Sequence, residues 1–330
     1  MNCLVTGGAG FIGSHLVERL VFEGNNVSVI DDLSSGKLSN LKSVKEKIQF
    51  HNFDIASGDV EAIFEDQEIV FHLAARADIV PSIVKPTEYI LANVVGTLRV
   101  LEAVRKYAVK RLIYTASSSC YGMATEIPTT ETAPIKPMYP YALSKWMGEE
   151  MVFHWAKLYE LNSLSLRLFN VYGPRARTSG NYGAVLGVFF AQRLAGQPLT
   201  VVGDGTQSRD FVYVDDVVDA FILAGESKES GYAINIGAGN PIQVNKVAEI
   251  IGGGTINIPH RPGEPEVTHA DTELALQKLG WKPKTDFESG IKIAMSNLEI
   301  WKDAPVWTPD SIEVATEEWF KYLSSPKNKG

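Results

Sequence analysis

The sequence predicts an α/β protein with a doubly wound parallel sheet and a smaller mixed α/β domain. Three observations predict it. Over roughly the first 170 residues, short apolar runs alternate with helical patterns of ten or more residues, which calls for parallel strands with crossovers on both faces. A glycine-rich turn follows the first apolar run, and an acid closes the second. After "VYGPR" (171–175) the rhythm changes, because loops lengthen and Gly and Pro multiply.

In chain order, "NCLVT" is the first strand. The helix after it repeats Ile12, Leu16, Leu20 and Val17, Val21 at three- and four-residue spacing and stops at Gly24. "NVSVID" is the second strand, "IQFHNFD" a third that stops at Asp54, and "IVFHLAA" (69–75) a fourth. A long helix is predicted from about Thr87 to Tyr107, then the strand "RLIYTAS", a second long helix from about Pro140 to Tyr159, and the strand "SLSLRLFN". Beyond residue 171, "LTVVGDG", "YAINIGAGNP" and "TINIPHRPGEP" read as short strands ending in turns. "DDVVDAFILAG" (215–225) and "VNKVAEIIGG" (244–253) read as helices. Asp310 precedes a terminal amphipathic helix with Ile312, Ala315, Trp319 and Leu323 on one face. The expected organisation is a dinucleotide-binding domain over 1–170, re-entered around 210–238 by "YAINIG", and a smaller domain over 171–330. The last residues, "SPKNKG", are expected to fray.

Composition narrows the function. The chain has 330 residues, 45% hydrophobic and 21% charged, an ordinary globular balance. A formal net charge of −8 without a basic cluster argues against nucleic acid or an anionic membrane surface, and leaves room for a local basic pocket. No apolar run approaches the ~20 residues of a membrane span. "NCLVT" already reads as a strand, so no signal peptide is expected and the cytoplasm is the expected compartment. Cys3 and Cys120 sit in apolar contexts and read as reduced core residues. The histidines at 15, 51, 72, 154, 260 and 269 show no ligand spacing, so no metal is assigned.

"LVTGGAGFIGSH" places Gly7, Gly10 and Gly13 at the strand-to-helix turn, and Gly8, Gly10 and Gly13 satisfy G-x-G-x-x-G. Small residues there let backbone approach a pyrophosphate, whose charge is met by free N–H groups of the helix N-terminus. Asp31 ends the second strand 24 residues after Gly7, placed to accept from ribose hydroxyls. Asp32 follows, and two acids repel a 2′-phosphate, which favours NAD over NADP.

"YPYALSK" supplies Tyr141 and Lys145, four apart and so on one helical face. A tyrosine acting as a base near neutrality must fall ~3 units from ~10, about 4 kcal/mol. An ammonium ~4 Å away at an effective dielectric of ~20 supplies about that much. The pair lies 24 residues after Ser117, the first serine of "SSSCYG" where the preceding strand ends.

These residues resemble the extended short-chain dehydrogenase/reductase family, and within it the nucleotide-sugar 4-epimerases of the UDP-glucose/UDP-N-acetylglucosamine type. The resemblance spans nearly the whole chain and rests on "TGGAGFIGSH", "DDLSSGK", "HLAA", "NVVGT", "SSSCYG", "YPYALSK", "RLFNVYGPR", "GDGTQSRDFVYVDDV" and "RPGEP". It implies a Rossmann domain with bound NAD and a UDP-sugar held through its diphosphate. Ser117 is then the catalytic hydroxyl, Tyr141 the base and Lys145 its partner on the cofactor ribose. The cofactor is expected along Gly7, Gly10, Phe11, Ile12, Gly13, Asp31, Asp32, Ser35, Gly36, Leu73, Ala74, Ala75, Asn93 and Phe169, with Asp54 and Ile55 flanking adenine. The substrate is expected along Ser117, Ser118, Ser119 and Asn170, with Arg209 and Arg261 as the phosphate pair, Glu264 near the nucleoside ribose, and Thr268.

The implied reaction is oxidation at C4, turning of the 4-keto sugar, and return of the hydride. Family dehydratases and uronate decarboxylases carry an acid just after the catalytic hydroxyl, where this chain has Ser118 and Ser119. That weighs against elimination and decarboxylation. The rival functions are a 4-reductase, an epimerase of a UDP-uronic acid using Arg76, and a non-catalytic NAD-binding module. In the resembling epimerases a gate residue lies seven positions after the second phosphate arginine, which here is Thr268, and a small residue there leaves room for an N-acetyl group; Ser179 and the loop 76–82 can overrule it. A homodimer is implied through helices at about 87–107 and 140–160, and Val94, Leu98, Leu101 and Val104 suit either that seam or plain core.

Overall fold

In the computed structural model, residues 1–176 and 185–324 are described. The strands are β1 (Asn2–Thr6), β2 (Asn26–Ile30), β3 (Ile48–His51), β4 (Ile69–His72), β5 (Arg111–Ser117), β6 (Ser163–Leu168), β7 (Asn170–Tyr172), β8 (Leu199–Val202), β9 (Ser208–Tyr213), β10 (Ala233–Ile236), β11 (Pro241–Gln243) and β12 (Thr255–Ile258). The helices are α1 (Phe11–Phe22), α2 (Ile79–Val84), α3 (Pro86–Ile90), α4 (Gly96–Lys106), α5 (Pro140–Tyr159), α6 (Val185–Leu194), α7 (Val214–Glu226), α8 (Val244–Ile251), α9 (Glu273–Leu279), α10 (Phe287–Met295) and α11 (Pro309–Leu323).

The apolar runs of the first half become a parallel sheet because they are buried on both faces, as the continuous burial of β1, β4 and β6 shows. Its order is β10-β6-β5-β4-β1-β2-β3. The chain builds one way from β1 through β3 and the other way from β4, so the order reverses between β1 and β4, where Thr6 pairs with His72. That reversal opens a crevice beyond the strands' C-terminal ends, the place where ligands bind in such sheets. β10 lies parallel beside β6, so a late segment completes the first sheet. The smaller part holds a three-stranded sheet, β11-β9-β7, and the pair β12-β8.

Several elements differ from the sequence expectation. β3 stops at His51, because Asp54 accepts from the Ala56 N–H at 2.8 Å and the Ser57 hydroxyl at 2.9 Å, closing a turn. The helix expected over 87–107 carries a π turn at Leu91–Val95 between α3 and α4. Leu101 and Val104 are core, whereas Val94 and Leu98 stay partly exposed. Asp310 falls in the first turn of α11; the cap is Thr308, whose Oγ1 accepts from the Ser311 N–H at 3.3 Å. Residues 325–330, where fraying is expected, lie outside the described residues. Cys3 and Cys120 are buried free thiols. Among the described residues no helix is long and apolar enough to cross a membrane.

Candidate active site

A cavity of about 890 Å³ runs along the ends of β1, β2, β4, β5 and β6 and on to β9 and the 261–268 segment. At one end, Gly7 has φ +71°, and a Cβ there would fall 2.7 Å from the Ala74 N. The turns after β1 and β4 therefore meet backbone to backbone, and only glycine permits it. No side chain caps the N-terminus of α1, whose Gly10–Gly13 stretch lines the cavity. Asp31 is buried and accepts from the Ala9 N–H at 2.9 Å and the Leu33 N–H at 2.8 Å. Burial pushes its carboxyl up, and these two bonds pull it back. Asp32 accepts from the Ser34 N–H at 2.9 Å.

Behind this wall runs a chain of hydrogen bonds. The Ala74 N–H donates to Thr6 Oγ1 at 3.2 Å, and Thr6 Oγ1 lies 2.7 Å from His72 Nδ1. His72 Nε2 lies 3.0 Å from Thr97 Oγ1, which donates to the Asn93 carbonyl at 2.6 Å. Thr97 gives its proton to Asn93, so Nε2 must be the donor. Burial pushes His72 down to about 3, so the ring is neutral and Nδ1 accepts from Thr6 Oγ1. The Asn93 amide is committed as well, to the Arg76 N–H at 2.8 Å, the Arg76 carbonyl at 3.0 Å and Ser144 Oγ at 2.9 Å.

The middle of the cavity holds the expected chemistry. Ser117 ends β5, and its Oγ lies 2.9 Å from Ser119 Oγ and accepts from the Ser119 N–H at 3.3 Å. Tyr141 sits in the first turn of α5 beside Pro140 and lines the same stretch of the cavity as Ser117. Lys145 follows one turn on, 4% exposed, with Nζ 4.4 Å above the Tyr114 ring. The expected pull of Lys145 on the Tyr141 phenol is not what prevails. Burial pushes Tyr141 above a free tyrosine, Ser117 pulls it down, and Asp78 pushes it up. Burial also brings Lys145 down to about 7, against the nearby Glu149 carboxylate.

Glu149 stands one turn beyond Lys145 and is 1% exposed. It takes a two-pronged ion pair from Arg167 of β6, at 2.6 Å from Nη2 and 3.0 Å from Nε, and a further bond from Ser165 at 2.6 Å. Arg167 Nη1 also donates to Tyr121 OH at 2.9 Å, and Tyr121 donates to Asn235 Oδ1 of β10 at 2.7 Å. The network ties α5 to two strands and fixes a carboxylate beneath Lys145.

The far end is cationic. Arg209 on β9 donates to Glu264 Oε1 at 2.7 Å, and Arg261 Nη1 lies 3.8 Å from Glu264 Oε2. Two guanidiniums share one carboxylate, and Glu264 Oε2 is buried without a hydrogen-bond partner. Next to Arg209, Asp210 accepts from the N–H groups of Ala238, Gly239 and Ala270 at 2.5, 3.0 and 2.8 Å. Thr268 Oγ1 accepts from the Asp210 N–H at 3.1 Å and donates to Asn170 Oδ1 at 3.2 Å.

The expected site residues line this one cavity, with two exceptions. Gly36 lies behind the wall, where a Cβ would fall 2.7 Å from Asp31 Oδ1; its smallness makes room for that carboxylate. Asn93 also lies behind, braced against Arg76 and Ser144. Ser179 lies outside the described residues. Sequence reasoning missed Tyr139, Arg175, Trp307 and Trp319 as wall residues, and the bracing by His72, Thr97, Glu149 and Arg167. Tyr139 and Arg175 had a signal, since one precedes the Tyr141 turn and the other closes "RLFNVYGPR".

A glycine turn, a buried acid, a Ser/Tyr/Lys cluster and paired arginines in one crevice also describe a known family. The model of the NAD dependent epimerase/dehydratase family matches residues 3–237. The chain belongs to this family. It is 38% identical over 303 residues to a UDP-glucose 4-epimerase of Mycolicibacterium smegmatis, covering 88% of this chain and 96% of that protein. The crystal structure of a Thermotoga maritima UDP-glucose 4-epimerase with UDP-glucose is similar at a TM-score of 0.86 and 37% identity, covering 91% of this chain and 99% of that one. A Bacillus cereus UDP-glucuronic acid 4-epimerase, solved with UDP-glucuronic acid and NAD, is similar at 0.84 and 30%, with 91% and 99% covered. The cofactor of this epimerase family is NAD. The close Gly7–Ala74 approach, the uncapped start of α1 and the buried Asp31 fit it.

Proposed function

We propose that this enzyme inverts C4 of a UDP-hexose or UDP-N-acetylhexosamine with a tightly held NAD. The observation that carries the reading is one cavity that holds Ser117, Tyr141 and Lys145 in its middle and Arg209 and Arg261 at its far end. Gly7, Gly10–Gly13, Asp31, Asp32, Ser35, Asp54, Ile55 and Leu73–Ala75 would hold the cofactor, and Lys145 its ribose. When bound, NAD supplies a hydride acceptor that returns what it takes. The chain's own residues handle protons and orientation. Tyr141 accepts the C4 hydroxyl proton and later gives it back, while Ser117 bonds to the same oxygen. Arg209 and Arg261 hold the diphosphate, and Asn170 meets it from the side. Glu264 answers the nucleoside ribose.

Ser118 and Ser119 leave no acid beside Ser117, which supports epimerisation over loss of water or CO₂. A neutral sugar is supported over a uronic acid because Arg76 already pairs with Glu88 at 3.2 Å. Leu143 and Met147 on α5 and Leu91 before α4 are exposed, which supports a homodimer through these helices; buried free thiols support a reducing, cytoplasmic setting. The test is incubation with UDP-glucose, UDP-N-acetylglucosamine and UDP-glucuronic acid without added NAD, products read by NMR. Inversion at C4 of the first two is expected. Loss of water or CO₂, stoichiometric NADH release, or turnover of the uronate alone overturns the reading.

A further inference from the structure

The C-terminal helix has no part in the reaction as drawn, yet it touches the cavity. Trp319 of α11 is 4% exposed and lines it. Its indole N–H donates to the Pro262 carbonyl at 2.8 Å, in the turn that carries Arg261 and Glu264. Its ring lies 5.9 Å from the Tyr139 ring, and Tyr139 stacks on Tyr141 at 6.5 Å with planes 6° apart. In the same turn, Gly263 has φ +71° and a Cβ direction that points at Met138 Cε, 3.2 Å away, and at Leu323 of α11, 3.8 Å away. The apolar face of α11 packs on Ile79, Val80 and Ile83 of α2. One helix thus braces three walls that come from distant parts of the chain. A terminal helix that only closed a core would need apolar contact alone, whereas here a part-buried polar bond leads to the far end of the cavity and an aromatic stack to its middle.

We propose that α11 is a working wall of the sugar end and that Trp319 is a positioning residue, setting the Arg261–Glu264 turn through Pro262 and the Tyr141 ring through Tyr139. The proposal rests on the nucleotide-sugar reading of the cavity. It separates two effects. The indole N–H governs nucleotide binding, and the indole face governs alignment of the reacting tyrosine.

The test compares Trp319→Phe and Trp319→Ala with the wild type in the full chain. UDP affinity is measured by calorimetry, KM and kcat with UDP-glucose, and Tm by scanning. Trp319→Phe loses the donor and keeps a ring. It is expected to weaken UDP binding and raise KM ~5-fold, the scale of one hydrogen bond, with kcat nearly kept. Trp319→Ala is expected to lower kcat at least ~10-fold as well. Trp319→Phe alone decides the matter if the alanine variant does not fold. UDP affinity and KM within twofold of wild type in Trp319→Phe, whatever happens to Tm, overturn the role of Trp319 and leave the function standing. A wild-type chain that neither binds UDP nor inverts UDP-sugars overturns the nucleotide-sugar reading, and this role with it.

Discussion

Replacing Thr268 with Tyr should close the cavity to N-acetylated sugars while leaving glucose and galactose. The structure separates two things that Thr268 does. Its backbone N–H donates to the Ser208 carbonyl at 3.1 Å, which holds the residue at the wall. Its hydroxyl accepts from the Asp210 N–H and donates to Asn170 Oδ1, which turns the Asn170 Nδ2 away from Thr268. Thr268→Tyr therefore replaces a small side chain at the wall with a large one and also unties Asn170. Thr268→Val unties Asn170 without adding bulk, and Thr268→Ser keeps the hydroxyl. Leaving the Asp210 N–H unpaired costs ~1–3 kcal/mol of stability in both Val and Tyr variants. Steric discrimination of one methylene is worth ~1–3 kcal/mol, and an acetamido group is larger. The kcat/KM ratio of UDP-N-acetylglucosamine to UDP-glucose should thus fall at least ~10- to 200-fold in Thr268→Tyr. In Thr268→Val both values should fall together, leaving the ratio unchanged. Coupled assays on both sugars measure it. A ratio within twofold of wild type in Thr268→Tyr, or an equal change in Thr268→Val, would refute the gate argument.

Tyr141→Phe should lower turnover by ~10²-fold or more, since a phenyl ring moves no proton; near-normal activity removes Tyr141 from the mechanism. Glu149→Gln should destabilise the fold by ~3–5 kcal/mol in urea melts, because it leaves the Arg167 charge buried without its carboxylate, and a loss below ~1 kcal/mol contradicts the network. Burial holds His72 at about 3 in the folded chain against an ordinary 6.5. The unfolded chain therefore binds the extra proton below 6.5, and this contribution is lost progressively as pH falls from 6.5 to about 3, by up to ~1.4 kcal/mol per pH unit. His72→Gln should flatten that part of the urea-midpoint profile, and equal slopes in both proteins rule His72 out as the cause.

Parts of the site that obey local chemistry were legible in the sequence. The glycine turn needs its residues within one loop, and Tyr141 and Lys145 need one helical turn, so spacing alone exposes both. Arg209, Arg261 and Thr268 were legible only through resemblance, because nothing local says that β9 and the 261–268 segment share a wall. Bracing residues left no trace. His72 looks like an unused histidine until β1, β4 and the π turn bring Thr6, Thr97 and Asn93 to it. Arg167 looks like a stray charge in an apolar strand, since its partner Glu149 lies on the preceding helix and the two meet only when β6 docks. Gly36 and Asn93 show the converse. Both sit in recognisable motifs, yet one makes space for Asp31 and the other ties down Arg76, so motif membership did not separate lining a site from building it.

The electrostatics of the reacting pair follow from the same bracing. The sequence suggests that one ammonium could supply the ~4 kcal/mol needed to bring a phenol to neutrality. In the folded chain both members are pushed toward their neutral forms, the phenol upward and the amine down to about 7. A cavity dry enough to strengthen their attraction also penalises each of them for leaving water. A second group behind each one opposes that penalty without overturning it. Ser117 pulls the phenol of Tyr141 down, and the Glu149 carboxylate pulls the amine of Lys145 up. Arg167 holds that carboxylate in place, so a buried ion pair that contacts neither Tyr141 nor the sugar still bears on the proton transfer.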